Sequence, residues 1–217
     1  TKENTKAMVD SGLDDLNISL DGASQETYSK YRKQGNFQTT IDNIKNLVEE
    51  KKKSGKKYPK ITLQFIVMKH NEHEIDKIKQ IAKELGVDSL QIKSVKVDTV
   101  EEAKQYLPSK ENLRRYNIEG EHLVQAGAKS KMTCKMLWTE ATIWADGSVV
   151  PCCYDYSSKH VFGNAFKTGF KEIWKGEKMN NFRKQFLKDM NQIPICKNCP
   201  RNTSDSSGLI EDEKVRQ

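Results

Sequence analysis

No apolar run in the sequence approaches the roughly 20 residues that a membrane-spanning helix requires, so no transmembrane segment is expected. The opening residues, TKENTKAMVDSG, lack the apolar core of a secretion signal. A reducing, cytoplasmic setting is therefore expected, and structural disulfides are not. Aromatic residues are sparse where basic ones are dense: EEKKKSGKKYPK, residues 49 to 60, holds only Tyr58. The formal net charge of +7 thus reads as a solvated face, and no nucleic-acid partner is expected. Internal repeats are missing too. None of the five cysteines occurs before position 134, so any sulfur chemistry belongs to the second half of the chain.

What is present in the first half alternates between two hydrophobic periods. LDDLNISLDG (13 to 22) sets Leu16, Ile18 and Leu20 on one face of a strand and closes on an Asp-Gly turn. FQTTIDNIKNLVEEKKKSG then places Phe37, Ile41, Ile44, Leu47 and Val48 on one stripe of a helix. KITLQFIVM (60 to 68) predicts a second strand, with Leu63, Phe65 and Val67 opposite Thr62, Gln64 and Ile66. NEHEIDKIKQIAKELGV (71 to 87) predicts a helix capped by Asn71 and ended by Gly86, with Ile75, Ile78, Ala82 and Leu85 buried. SLQIKSVKV (89 to 97) predicts a third strand. Crossovers of this length imply parallel strands and right-handed connections.

Each strand also carries polar groups on its alternate face: Asn17 and Ser19, Thr62 and Gln64, Gln91 and Lys93. A parallel sheet covered on both sides favours near-continuous apolar runs instead. The pattern suits a barrel whose lumen holds a ligand near the C-terminal strand ends. Three strands cannot close a barrel, so the remaining strands are expected upstream of Thr1, and the chain reads as a piece of a longer protein.

Residues 109 to 133 read as a polar connection, and a second unit is expected to begin at Cys134. There TIWADGSVVP forms a hairpin around the Asp146-Gly147 turn, and FKEIWKGEKMNNFRKQFLKDM is helical. The tail from 202 to 217 is expected to be flexible. Seventeen residues lie between Cys134 and Cys152, Cys153 is adjacent, forty-three lie between Cys152 and Cys196, and two separate Cys196 from Cys199. Four thiolates gathered from separate segments suit zinc or an iron–sulfur cluster, and spacing alone leaves both open.

The run CKMLW…IWADGSVVPCCYD…FGN…EIW…FRKQF…CKNC closely resembles the SPASM or twitch auxiliary-cluster domain of radical S-adenosylmethionine enzymes. The residues that carry the likeness are Cys134, Trp138, Asp146, Gly147, Pro151, Cys152, Asp155, Gly163, Asn164, Ile173, Trp174, Arg183, Cys196 and Cys199. NISLDG…YSKYRKQGNF…TIDNIKNL is similar to the fourth strand-helix unit of those enzymes' partial barrel. The resemblance implies an α/β fold: C-terminal strand-helix units of a partial (β/α)6 TIM-like barrel over residues 1–108. A small α+β SPASM/twitch domain with a β-hairpin follows, over 134–201.

It also implies a [4Fe–4S] auxiliary cluster on Cys134, Cys152, Cys196 and Cys199, with Cys153 packing beside it or standing in for Cys152. Trp138, Trp144 and Trp174 would serve as core and cluster shielding. Ser19 and Arg32 would contact the methionine moiety of S-adenosylmethionine, and Gln64 its ribose. That cofactor and a second [4Fe–4S] cluster are expected only in a full-length protein, because the family's C-x-x-x-C-x-x-C loop does not occur in this sequence. The implied chemistry is hydrogen abstraction from a small-molecule alcohol or a peptide, with an electron donor such as flavodoxin or ferredoxin. This polypeptide alone is expected to be inactive. The alternative is a zinc-stabilised four-cysteine binding module without catalysis.

Overall fold

The computed structural model describes residues 2–126, 134–197, 199 and 209–215. The chain divides into two compact units, residues 1–126 with 205–217, and residues 127–204. In the first unit, helix α1 (Lys2–Asp10) precedes β1 (Asp15–Ser19), α2 (Gln25–Tyr31), α3 (Phe37–Lys53) and β2 (Lys60–Val67). These are followed by α4 (Ile75–Leu85), β3 (Ser89–Ser94), α5 (Val100–Tyr106), β4 (Tyr116–Glu119) and β5 (His122–Gln125). The second unit contains α6 (Met136–Thr139), β6 (Thr142–Ile143), β7 (Ser148–Val150) and β8 (Gly163–Asn164). It continues with α7 (Ala165–Thr168), α8 (Phe170–Lys175), α9 (Glu177–Asp189) and α10 (Pro194–Lys197). A last strand, β9 (Leu209–Lys214), returns to the first unit.

Strands β1, β2 and β3 are parallel, as the long helical crossovers require, and they run in the order β1-β2-β3-β9. Helix starts are fixed by short side chains: the Ser24 hydroxyl accepts the Thr27 N–H, and the Asn36 carbonyl accepts the Thr39 N–H at 2.8 Å. Gly86 ends α4 in the left-handed conformation, at φ 68°. The apolar stripes of α3 (Ile44, Leu47, Val48) and α4 (Ile78, Ala82, Leu85) pack on Leu63, Phe65, Leu90 and Ile92 in one cluster. That leaves the polar residues of the strands on the other face. Ser19, Thr62, Gln64, Gln91 and Lys93 are all half-buried.

Three expectations are corrected. Asn71 does not cap the helix. It is fully buried, its Oδ1 accepts the Met68 N–H, and its Nδ2 donates to the carbonyls of Asp21 and Ile66. A buried backbone bend whose polar groups need partners outcompeted the cap. The stretch expected as a polar connection contains the β4–β5 hairpin, whose Tyr116 is buried against Met68, Val95 and Leu107. The tail expected to be flexible contains a strand over 209–214: β9 pairs antiparallel with β3. Ile210 and Val215 pack against the core, and the strand's carboxylates meet lysines of α4, Glu211 with Lys79 at 2.7 Å and Glu213 with Lys83 at 3.4 Å. Positions 202–208 and 127–133 lie outside the described residues.

The second unit is smaller and thinly cored. Its three-stranded antiparallel sheet, β6-β7-β8, is joined by short helices around Leu137, Phe182, Phe186, Ile193 and Cys196.

Candidate functional site

Motif residues of the second unit hold its cysteines in place. The hairpin turn closes with Trp144 N–H donating to the Ser148 carbonyl and Gly147 N–H to the Trp144 carbonyl. Gly147 sits at φ +86°, and a Cβ there would stand 2.7 Å from Asn164 Oδ1, so glycine is required. Asn164 in turn donates to the Asp146 carbonyl at 2.7 Å and accepts the Phe166 N–H. Past β7, Cys152 opens a turn: the Asp155 N–H donates to the Cys152 carbonyl. The fully buried Asp155 carboxylate accepts the amides of Lys159 and His160. Arg183 ties α9 to the segment after Cys134, donating from Nε to the Leu137 carbonyl while its guanidinium lies 4.4 Å from the centre of the Trp174 ring. The C-x-x-C segment is a turn in which Cys199 N–H donates to the Cys196 carbonyl.

This scaffold gathers the thiols. None of the five cysteines is in a disulfide; Cys196 and Cys199 are buried, Cys134 and Cys152 half-buried, and Cys153 exposed. Burial does most to push the Cys152 thiol up to about 11; the Tyr154 amide opposes the rise, and the neighbouring Cys199, Cys153 and Cys134 contribute to it. Burial likewise does most to push Cys196 up to about 12, with Cys199, Cys152 and Cys134 contributing to that rise. The four sulfurs thus share one electrostatic neighbourhood. Among the described residues, however, no three His, Cys, Asp or Glu side chains are close enough to hold a single metal ion.

The tryptophans divide. Trp138 is 42% exposed, touching Phe186 edge-on, so it is not core. The Trp144 indole N–H is buried without a partner among the described residues.

In the first unit, Ser19 and Gln64 are register partners on the polar face of adjacent strands. Arg32 lies elsewhere in the network. Its Nε donates to Asp21 Oδ2 at 2.7 Å and its Nη2 pairs with the same oxygen. Asp21 is fully buried, and Oδ1 accepts the Ile66 N–H at 2.8 Å, pinning the end of β1 to β2. Burial pushes the Asp21 carboxyl above its ordinary value, while the Ile66 amide and Arg32 oppose the rise. A raised value in the folded state means stability declines as pH rises through it.

Asp21→Ala should therefore cost about 1–3 kcal/mol by orphaning the buried Ile66 donor, with little from the half-exposed Arg32. Asp21→Asn, which keeps an acceptor, should cost less and flatten the acidic limb. Urea melts of both variants between pH 3 and 7 check this. The sequence showed Asp21 as a turn residue; its role as the hub between Arg32, Ile66 and Asn71 had no local signal.

With this geometry in hand, comparison with known proteins is informative. Residues 134–200 match the family model of SPASM, an iron-sulfur cluster-binding domain. A curated relative from Niallia circulans, S-adenosyl-L-methionine-dependent 2-deoxy-scyllo-inosamine dehydrogenase, is 30% identical over 77 residues, 35% of this chain and 31% of that protein. Among solved structures, native anSMEcpe with bound AdoMet superposes with a TM-score of 0.54 at 16% identity. That match covers 96% of this chain and 65% of that one. The same protein with bound AdoMet and Kp18Cys peptide gives 0.51 at 16% identity, covering 96% and 66%. The chain thus spans about a third of the curated relative and about two thirds of the solved chains. It resembles the C-terminal portion of a radical S-adenosylmethionine enzyme with a SPASM domain. The mixed α/β fold is that of the solved relatives. No helix among the described residues is long and apolar enough to cross a membrane.

Proposed function

We propose that this chain is the C-terminal part of a radical S-adenosylmethionine oxidoreductase or maturase. Its second unit would bind one auxiliary [4Fe–4S] cluster through Cys134, Cys152, Cys196 and Cys199. The observation that carries the reading is the match of residues 134–200 to an iron-sulfur cluster-binding domain, with Cys134, Cys152, Cys196 and Cys199 set in one electrostatic neighbourhood. When bound, the cluster would supply a one-electron acceptor, and four protein ligands would leave it no open iron.

The chain's own residues prepare that site. Phe182, Phe186, Leu137 and Ile193 line it with apolar surface and limit water, which tunes a cluster's potential. Burial of the thiols favours their protonated forms, so cluster assembly must release protons and should weaken as pH falls. In the first unit, the strands are proposed to be the C-terminal portion of a partial barrel, with Ser19 and Gln64 facing its lumen. The Nε–Nη2 edge of Arg32 is committed to Asp21, so contact with the methionine carboxylate would fall to Nη1. The whole protein would oxidise a small-molecule alcohol or modify a peptide, fed by a flavodoxin- or ferredoxin-type donor.

The test is anaerobic reconstitution of the chain with iron and sulfide, in competition with zinc. The expected product is brown, with about four irons and four sulfides per chain, as a [4Fe–4S] centre demands. A colourless protein holding stoichiometric zinc would identify a structural binding module instead.

A further inference from the structure

One cation on the polar face of the sheet is not explained by the fold. Lys93 lies toward the C-terminal end of β3, half-buried, and its Nζ donates to Gln64 Oε1 at 2.9 Å. Among the described residues none of the ion pairs includes it. An amide oxygen satisfies one ammonium hydrogen but neutralises no charge, so this partly desolvated cation has no carboxylate partner among the described residues. The acidic residue placed nearest along this face by register is Asp212, opposite Gln91 and held by the Gln91 amide at 3.5 Å. Gln91 lies two residues before Lys93, about 7 Å along the strand.

The same hydrogen bond orients Gln64. With Oε1 accepting from Lys93, its Nε2 is left to face a ligand, so the amide offers donors. Ser19 stands across from Gln64 in register and adds a hydroxyl. An ammonium, an amide NH2 and a hydroxyl on one face form a donor-rich surface that recognises acceptors of negative charge.

We propose that this face is a carboxylate-binding subsite, in which Lys93 pairs with a carboxylate on the substrate and Gln64 Nε2 orients it, a role that takes the place of the ribose contact the resemblance implies for Gln64. The word substrate rests on the function proposed above, and the inference narrows it. A carboxylated molecule is favoured, and a protonated amine, such as an inosamine carries, is opposed by the like charge of Lys93.

Titration of the 15N-labelled chain with three matched probes tests this, read at the Gln64 side-chain amide. Glucuronate should shift it saturably, at an affinity at least tenfold higher than glucose or glucosamine. Lys93→Arg should keep the preference, Lys93→Met should abolish it, and Lys93→Glu should reverse it toward glucosamine. Glucosamine binding as tightly as glucuronate, no response to any probe, or glucuronate binding unchanged in Lys93→Met would each overturn the proposal. S-adenosylmethionine supplies the other source of carboxylate. If it displaces glucuronate from Gln64, the subsite belongs to the cofactor and the substrate assignment falls; binding of both together supports it. Iron and sulfide assayed after the anaerobic reconstitution described above keep the two readings separate, because a chain that takes up no cluster there yet still prefers glucuronate would overturn the proposed function and spare the subsite.

Discussion

If the proposed cluster is bound as described, replacing Cys196 by serine should abolish iron uptake by the second unit and unfold it, while the first unit keeps its structure. The expectation follows from how little else holds that unit together. Its core is built from Leu137, Phe182, Phe186, Ile193 and Cys196 itself, with Phe162 and Cys134 at the edge. A core of that size, under a short three-stranded sheet, supplies at most a few kcal/mol and needs a staple. No disulfide provides one. A metal group bound by residues from three separate segments would, because its binding free energy becomes folding free energy.

Serine at Cys134, Cys152 or Cys199 should act in the same way, losing at least half of the bound iron and the brown absorption. Serine at the exposed Cys153 should lose neither. Iron assay, visible absorption and hydrogen exchange measured on the five single variants read this out together. A Cys153→Ser chain that loses its iron while Cys152→Ser retains it would exchange the two residues' roles. Normal iron in all five would remove the cluster from the cysteines altogether.

The turns that carry these sulfurs were legible in the sequence for a specific reason. A C-x-x-C turn and a hairpin with an Asp-Gly corner are local devices, and local devices show in local spacing. The crossovers were equally legible, because Ile44, Leu47 and Val48 or Ile78, Ala82 and Leu85 repeat at the helical period. What stayed hidden was non-local. The strand LIEDEK is acidic and short, and its partners lie more than 100 residues earlier: the edge of β3, the core on which Ile210 packs, and Lys79 and Lys83 on the helix beside it. Asn71 looked like a cap because nothing nearby reveals that Asp21 and Ile66 would present it with two carbonyls. Arg32 looked free for a ligand, since its ion pair with Asp21 crosses a strand-helix connection.

Neighbouring positions on β2 carry the sharpest contrast, and they test which side of the sheet is core. Phe65 is fully buried and packs within the cluster made by α3, α4 and the strands. Phe65→Ala should cost about 3–5 kcal/mol, from lost transfer energy and the cavity left behind. With a urea slope of roughly 1–3 kcal/mol/M, the midpoint of the first unit should fall by about 1 M or more. Gln64, one residue earlier, points to the opposite face and gives up one hydrogen bond with Lys93. Gln64→Ala should cost about 1 kcal/mol or less, because the freed ammonium is only half-buried and water can reach it. Equal costs at the two positions would mean that both faces are packed core, and the polar face could not then serve as a ligand surface. A large difference means that this fold spends one side of its sheet on stability and leaves the other side, with Ser19, Gln64 and Lys93, open to chemistry.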